Sequence, residues 1–199
     1  MRYIYRVAWL GIALVLAQHS AAQDAEILTK VDEALKAAAS FEVGADSGPL
    51  QGIEKIVFQL PADSELRGPV EQKLLAALDS DATTDAKRFL CRQLRVIGTE
   101  KCVAPLAKLL TDPQLSHMAR YALGRLESPA ATEALLKALD QTSGDLLAGI
   151  IDTLGNRKCM GARDKLIELL RNSDATVAKA AAISLGRLGG GDSVAALQR

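Results

Sequence analysis

Aromatic residues are scarce in this sequence: they make up 4% of its 199 residues, whereas 49% of the residues are hydrophobic. The hydrophobic content is therefore mostly Leu, Ala, Val and Ile. This mixture favours helices and argues against a β-sandwich, because β-sheets rely on aromatic and β-branched residues. An excess of one charge is also absent, since 24 basic residues balance 24 acidic ones. The balance excludes a chain built around phosphate neutralisation and a disordered, highly charged region.

Residues that carry catalytic or metal chemistry are few as well. The chain has two histidines and three cysteines, and it contains no HExxH, CxxC, GxSxG or Walker-type pattern. His117 has no Cys, Asp or Glu at ligand spacing on its own predicted helix, so we interpret it as a first-turn polar residue rather than a metal ligand. We expect no catalytic residue, no metal and no cofactor.

The first 22 residues have the three-part pattern of a secretory signal peptide. Arg2 and Arg6 precede the apolar run 7–17, and small residues follow at Ser20 and Ala22. We expect cleavage after Ala22. The alternative, a membrane anchor, is disfavoured because an eleven-residue helix spans about 16 Å, half of a hydrocarbon core. The mature chain would have 22 basic and 24 acidic residues, and an exported, periplasmic or extracellular location.

The remainder of the chain repeats with a period near 30. Segments aligned on Leu94, Leu123, Leu154 and Leu185 are spaced by 29, 31 and 31 residues. Leucine recurs twelve residues after each of these anchor leucines, at Leu106, Leu135, Leu166 and Leu197. A repeat of this length predicts an all-α protein, an α-solenoid of stacked antiparallel helix hairpins.

The pattern of each repeat predicts two helices, A and B, separated by turn residues. In the last full repeat, an apolar stripe over 166–170 predicts helix A, and the polar residues 172–174 offer a cap for helix B. The glycines at 189–191 end helix B. Alanines at 180–182 would allow adjacent helices to approach closely, as stacked hairpins require.

The segment SDATVAKAAAISLGRLGG, residues 173–190, resembles the HEAT-like repeat that is also seen in phycobilisome-lyase-type proteins. It shares an acidic turn, a valine, a basic residue, an alanine run and a Leu-Gly pair. The likeness covers residues 64–199 and departs at Ala178, where the family often has arginine. Residues 86–126 are similar to HEAT-type domains of exported bacterial proteins. The resemblance implies a superhelical stack and a binding or scaffolding role, without implying a reaction.

We divide the chain into a signal peptide (1–22), an N-terminal helical cap (23–62) and a HEAT-like array (63–199) whose last repeat is incomplete. Apolar stripes predict helices over 25–41, 53–60 and 70–78. Because the chain stops inside a predicted helix A, we expect the natural protein to continue beyond Arg199, or a short terminal helix to close the stack.

The three cysteines form an odd set. Cys91 in a B helix and Cys102 at the start of the next A helix could form a disulfide in an exported protein. The alternative is two small buried apolar residues, because few helix neighbours come close enough for a disulfide. Cys159 falls in a turn and is interpreted as a free thiol.

B helices usually line the concave face of such stacks, and residues at equivalent positions form rows across the array. The predicted ligand-contacting patch consists of Arg88, Arg92, His117, Tyr121 and Arg125. It could receive an acidic peptide or a sugar acid through charge-assisted hydrogen bonds. The alternative is an ordinary solvated helix face. Arg120, one position away, is expected to pair with an acid of the turn inside its repeat, such as Asp112.

Two functional interpretations follow. The first is an exported, non-catalytic module that binds a protein or peptide partner, with end-to-end self-association as a further expectation. The second, implied by the resemblance to lyase-type proteins, is an enzyme of the bilin-lyase kind or another small-ligand enzyme. Nucleic-acid binding is not expected of a neutral exported chain. No membrane span is expected after cleavage of the signal peptide.

Overall fold

The computed structural model describes residues 21–198, and this part of the chain is helical with no strand. The predicted signal peptide, residues 1–22, lies almost entirely outside the described residues. The helices are α1 (21–38), α2 (Gly48–Gln59), α3 (Arg67–Leu78), α4 (Thr84–Ile97), α5 (Val103–Lys108), α6 (Ser116–Leu123), α7 (Pro129–Ala138), α8 (Gly144–Asn156), α9 (Arg163–Leu169), α10 (Ala175–Leu188) and α11 (Gly191–Leu197). Short 3-10 turns flank α5 and precede α9. None of the described helices is long and apolar enough to cross a membrane.

The helices from α3 onward pack as hairpins in two layers. Each first-layer helix (α3, α5, α7, α9) contacts the second-layer helix that follows it (α4, α6, α8, α10). Within the second layer, α4 packs on α6, α6 on α8 and α8 on α10. The predicted all-α architecture of stacked antiparallel hairpins is confirmed.

Leucines of the repeat form the core between the layers. The anchor leucines of the four second-layer helices and the leucines twelve residues later, up to Leu166, are completely buried. The equivalent Leu197 of α11 is 44% exposed. The period read from the sequence therefore marks the positions that hold each hairpin together.

Local capping and turn residues mark the helix ends, including the predicted cap at 172–174 and the predicted stop at 189–191. Thr83 caps α4 and Asp174 caps α10 by accepting backbone N–H groups, and Pro129 occupies the first turn of α7. Gly189 ends α10 with a φ of 68°, a left-handed conformation that favours glycine. At the start of α6, Asp112 accepts hydrogen bonds from the backbone N–H groups of Gln114 and Leu115.

The helices α8 and α10 approach each other most closely where Gly155 faces Ser184. A Cβ at position 155 would lie 2.6 Å from the Ser184 Cβ and 3.0 Å from its Cα. The Ser184 hydroxyl donates to the Ile151 carbonyl oxygen at 3.1 Å. Glycine is therefore required at position 155, because a side chain there would push the two helices apart.

A buried carboxylate joins α3 to the turn before α5. Glu71 is fully buried, and it accepts hydrogen bonds from the backbone N–H of Thr99 at 2.6 Å and from the Thr99 hydroxyl at 2.9 and 3.0 Å. These bonds satisfy a carboxylate that would otherwise be costly to bury.

Cys91 and Cys102 lie near this buried carboxylate, and both are completely buried. Both are free thiols in the structure, so the disulfide considered from the sequence is not formed there. The Cys102 Sγ instead donates to the Thr99 carbonyl oxygen at 2.9 Å. Burial raises the pKa of Cys91 to about 12, with a further contribution from Cys102. Burial and the Glu71 carboxylate raise the pKa of Cys102 to about 12.

Replacement of Leu135 or Leu166 by Ala should lower the free energy of unfolding by about 2–5 kcal/mol, because each leucine is completely buried and its truncation leaves a cavity. Urea denaturation followed by circular dichroism measures the change. The exposed Leu197 is the matched control, and its replacement by Ala should cost much less. Equal losses at the three sites would contradict the assigned core.

The two buried thiols should resist alkylation in the folded protein at pH 8, since a pKa of about 12 leaves very little reactive thiolate. The half-buried Cys159 should react first. Mass spectrometry after iodoacetamide treatment without reductant should show three adducts once the chain is unfolded. One adduct under those conditions would show instead that Cys91 and Cys102 form a disulfide.

An arginine groove between the second-layer helices

A polar groove lies across α4, α6 and α8, on the second-layer face of the stack. Its cavity has a volume of about 320 Å³. We call this cavity the arginine groove, and it is lined by Arg95, His117, Arg120, Tyr121, Gly124, Arg125, Asp152, Thr153, Asn156 and Arg157. Four of these side chains are arginines, so the groove is suited to an anionic ligand.

Tyr121 forms the aromatic part of the groove. It is 45% exposed, and the Arg95 guanidinium lies over its ring at 4.3 Å from the ring centroid. This distance is within the range of a cation–π interaction. The pair presents a flat aromatic surface and a cation side by side, without an ion pair between Arg95 and a described carboxylate.

The structure brings together three of the five residues predicted for the ligand-contacting patch. His117, Tyr121 and Arg125 line the arginine groove. Arg92 is exposed and lies over the Phe89 ring, at 5.7 Å from its centroid, outside the groove lining. Arg92 is therefore placed to contact only a ligand that extends beyond the groove along α4.

Arg88 has a different environment from the one that its row position predicts. Its Nη1 donates to the Asp85 carboxylate at 2.9 Å, and its Nε donates to the Gln114 carbonyl oxygen at 3.1 Å. The bond to Asp85 lies within α4, and the bond to Gln114 ties α4 to the turn before α6. Arg88 thus has local partners that occupy two of its donors.

Arg120 does not pair with Asp112, contrary to the expectation from the sequence, because Asp112 caps the start of its own helix. Arg120 extends from α6 toward α8, where its Nη1 donates to the Gly149 carbonyl oxygen at 3.0 Å. A longer contact of 3.5 Å reaches the Thr153 hydroxyl. The guanidinium lies directly against Gly149, since a Cβ there would be 2.4 Å from Arg120 Cζ and Nη2.

Arg120 has a donor nitrogen without a hydrogen-bond partner in the part of the chain that the structure describes. Its Nε is buried and has no hydrogen-bond partner among the described residues. Burial lowers the pKa of the Arg120 guanidinium below its ordinary value, although the nearby Asp152 carboxylate acts in the opposite direction. A cation removed from water without full compensation is energetically unfavourable.

Arg157 provides the contrast to Arg120. Its Nη1 donates to the carbonyl oxygens of Leu123, Gly124 and Leu126 at 2.7–3.1 Å, and its Nη2 donates to the Thr132 hydroxyl at 2.9 Å. These carbonyls belong to the end of α6, where a helix leaves its last carbonyl groups without partners inside the helix. Arg157 therefore has a structural role as a cap.

The wall of the groove on α8 is formed by an ion pair. Asp152 accepts hydrogen bonds from Arg187 of α10 and, at 3.1 Å, from the Asn156 amide. These two partners compete with Arg120 for the single carboxylate. The groove as a whole thus retains an excess of positive charge.

Both half-buried arginines could have been singled out from the repeat alignment. At the position three residues before the anchor leucines, the four repeats have Cys91, Arg120, Ile151 and Ala182. At the position three residues after the anchor leucines, they have Ile97, Leu126, Arg157 and Leu188. Arginine interrupts an otherwise apolar row in each case. A charged residue at a core position of a repeat is a departure that marks either a cap or a binding site.

A larger cleft of about 560 Å³ lies between α1 and α3. Six of its fifteen lining residues are alanines, and Phe89 and Leu90 are among the other apolar residues. Lys73 at its edge is already paired with Asp32, at 2.6 Å. Nothing in this cleft therefore selects a particular ligand.

The groove presents side chains suited to binding an anion. Among the described residues there is no cluster of His, Cys, Asp or Glu that could hold a metal ion. The groove offers guanidinium donors, an aromatic face and one carboxylate. This set recognises a planar anion next to an apolar group.

Comparison with known proteins agrees with the repeat architecture. A family model described as HEAT repeats matches residues 71–148 and again residues 132–199, which together are well over half of the chain. The first match begins in α3 and the second continues past α10. No curated protein matches the chain. Because the family model follows the same helix hairpins that the structure shows, the chain belongs to the HEAT repeat family.

Proposed function

We propose that this chain is an exported, non-catalytic protein-interaction module that binds an acidic segment of a partner protein along its second-layer face. HEAT repeats commonly mediate protein interactions, which supports the general role. The observation that carries the more specific proposal is the concentration of arginines on this one face.

The charge of the second layer differs from that of the whole chain. The chain has no net charge, but α6 and α10 contain basic residues and no acidic ones. Only α8 has the opposite balance, with Asp145 and Asp152 and no basic residue. In α4, Asp85 is the only acidic residue beside four basic ones, and Asp85 is held by Arg88. Complementary charge of this kind attracts an acidic partner and helps to orient it.

The shape of the face favours an extended peptide segment. The arginine groove lies open between helices, and the exposed Val96, Tyr121 and Ile183 provide apolar contacts along the same layer. An acidic segment with interspersed apolar side chains could thus pair its carboxylates with arginines and place its apolar groups on these residues.

An enzyme of the bilin-lyase kind is the alternative that the sequence resemblance leaves, and it stays a prediction. No observation on the described residues favours it over binding. End-to-end self-association through α11 likewise stays a prediction.

A fluorescent peptide of alternating glutamate and leucine should bind the protein, and its glutamine–leucine counterpart should bind much more weakly. Replacement of Arg125 by Ala should weaken binding about 2–5-fold, as expected for an exposed ion pair. Fluorescence anisotropy measures both effects. Arg171, an exposed arginine outside the groove, is the matched control.

Duplex DNA should serve as the competing ligand in the same titration. Nucleic-acid binding weakens steeply as the salt concentration rises, because counterions are released from the duplex. A site specific for nucleic acid is not expected to distinguish the glutamate peptide from the glutamine peptide. Tighter binding to duplex DNA than to the acidic peptide, or equal binding of the two peptides, would contradict the proposal.

The proposed export has its own test. Mass spectrometry of the protein isolated from its native source should show a chain that begins at Gln23, because signal peptidase cleaves after small residues such as Ala22. An intact N-terminus at Met1 would contradict cleavage and the exported location.

A further inference from the structure

We propose that Arg120 and the Arg95–Tyr121 pair form a subsite that binds one side-chain carboxylate, from an aspartate or glutamate of the partner. This inference rests on the proposed function, since it assigns the place at which the acidic segment is anchored. It identifies Arg120 as the specificity-determining residue of the groove.

The first argument is the incomplete satisfaction of Arg120. Its Nη1 bonds to Gly149, whereas its Nε is buried without a partner among the described residues. Asp152, the nearby carboxylate, is engaged by Arg187 and Asn156. An anion bound in the groove would compensate the partly desolvated charge of the Arg120 guanidinium, which lines the groove.

The second argument is the position of Arg120 in the repeat. The equivalent residues Cys91 and Ile151 are fully buried apolar side chains. An arginine at such a position is unfavourable for folding, and Arg157 shows how this chain satisfies a half-buried arginine when the role is structural. Arg120 lacks that set of carbonyl partners, which is the pattern expected of a side chain prepared for a ligand.

The third argument is the space that the neighbouring helix leaves. Gly149 in α8 has no side chain, and the Arg120 guanidinium occupies the volume that a Cβ would need. The guanidinium is thereby held in the groove lining, to which Tyr121 also belongs. Preorganisation of this kind reduces the entropy lost when a ligand binds.

A carboxylate fits the subsite better than a phosphate group. Guanidinium donors and a flat aromatic ring match a planar, singly charged acceptor. Asp152 lies in the same groove lining, and its negative charge would oppose a doubly charged phosphate more than a carboxylate.

Two substitutions test the subsite from opposite directions. Arg120→Met removes the charge and places an apolar side chain at an apolar position. Gly149→Ala keeps the charge, but its Cβ must displace the guanidinium, which lies 2.4 Å away. Each variant should weaken binding of the glutamate–leucine peptide roughly 10–100-fold, the loss expected for hydrogen bonds to a charged group.

Thermal melting separates this role from a structural one. The melting temperature of Arg120→Met should be equal to or higher than that of the wild type, because an incompletely paired, half-buried cation is removed. Arg157→Met should melt at a lower temperature, since it leaves three carbonyl groups without their donor. Gly186→Ala is the matched control for Gly149→Ala, because a Cβ at position 186 meets nothing within 4 Å.

A small probe tests the subsite without a peptide. N-acetylglutamic acid α-amide should shift the Arg120 Nε–Hε resonance in the NMR spectrum, which is assigned by its loss in Arg120→Met. N-acetylalanine, which carries only a terminal carboxylate, should shift it less. Inorganic phosphate should also shift it less.

The outcomes are distinguishable. Peptide binding that is unaffected by Arg120→Met and Gly149→Ala but weakened by Arg125→Ala would overturn the subsite and leave the proposed function standing. Absence of peptide binding with a shift from the glutamate amide would overturn the proposed function and support the subsite. A lower melting temperature for Arg120→Met, a larger shift from phosphate, or no shift from any probe would overturn the subsite.

Discussion

The close approach of successive second-layer helices governs the rest of this structure. Where α8 meets α10, Gly155 lies against Ser184, and no larger side chain fits at position 155. Where α6 meets α8, the corresponding space beside Gly149 is filled by the Arg120 guanidinium. The small residues between these helices set the spacing of the hairpins, and the spacing in turn buries the leucines of every repeat.

Much of the fold was predictable from the sequence because the repeat shows each position several times. A leucine that recurs after every anchor must face the same environment in each hairpin, and Leu135 and Leu166 are indeed fully buried. Turn residues were equally informative, since Pro129 and Gly189 act through local backbone geometry that depends little on neighbouring helices.

The groove was only partly predictable. His117, Tyr121 and Arg125 were selected from their rows, whereas Arg120 was assigned to Asp112 on its own hairpin. Sequence proximity favoured that pairing, but the helix-capping bonds of Asp112 and the space beside Gly149 direct Arg120 to the next hairpin. Contacts between repeats depend on the helix spacing, and this spacing is a property of the folded stack rather than of one repeat.

The pairing of Arg120 with Gly149 makes the orientation of one helix's side chain depend on the backbone of the next hairpin. The Arg120 guanidinium occupies its place only while position 149 has no side chain, because a Cβ there would lie 2.4 Å from the guanidinium. The glycine costs some helix propensity in α8. Any side chain at position 149 would turn the guanidinium away without removing it, so the charge of the groove and the direction in which that charge is presented are set by two different residues on two different helices.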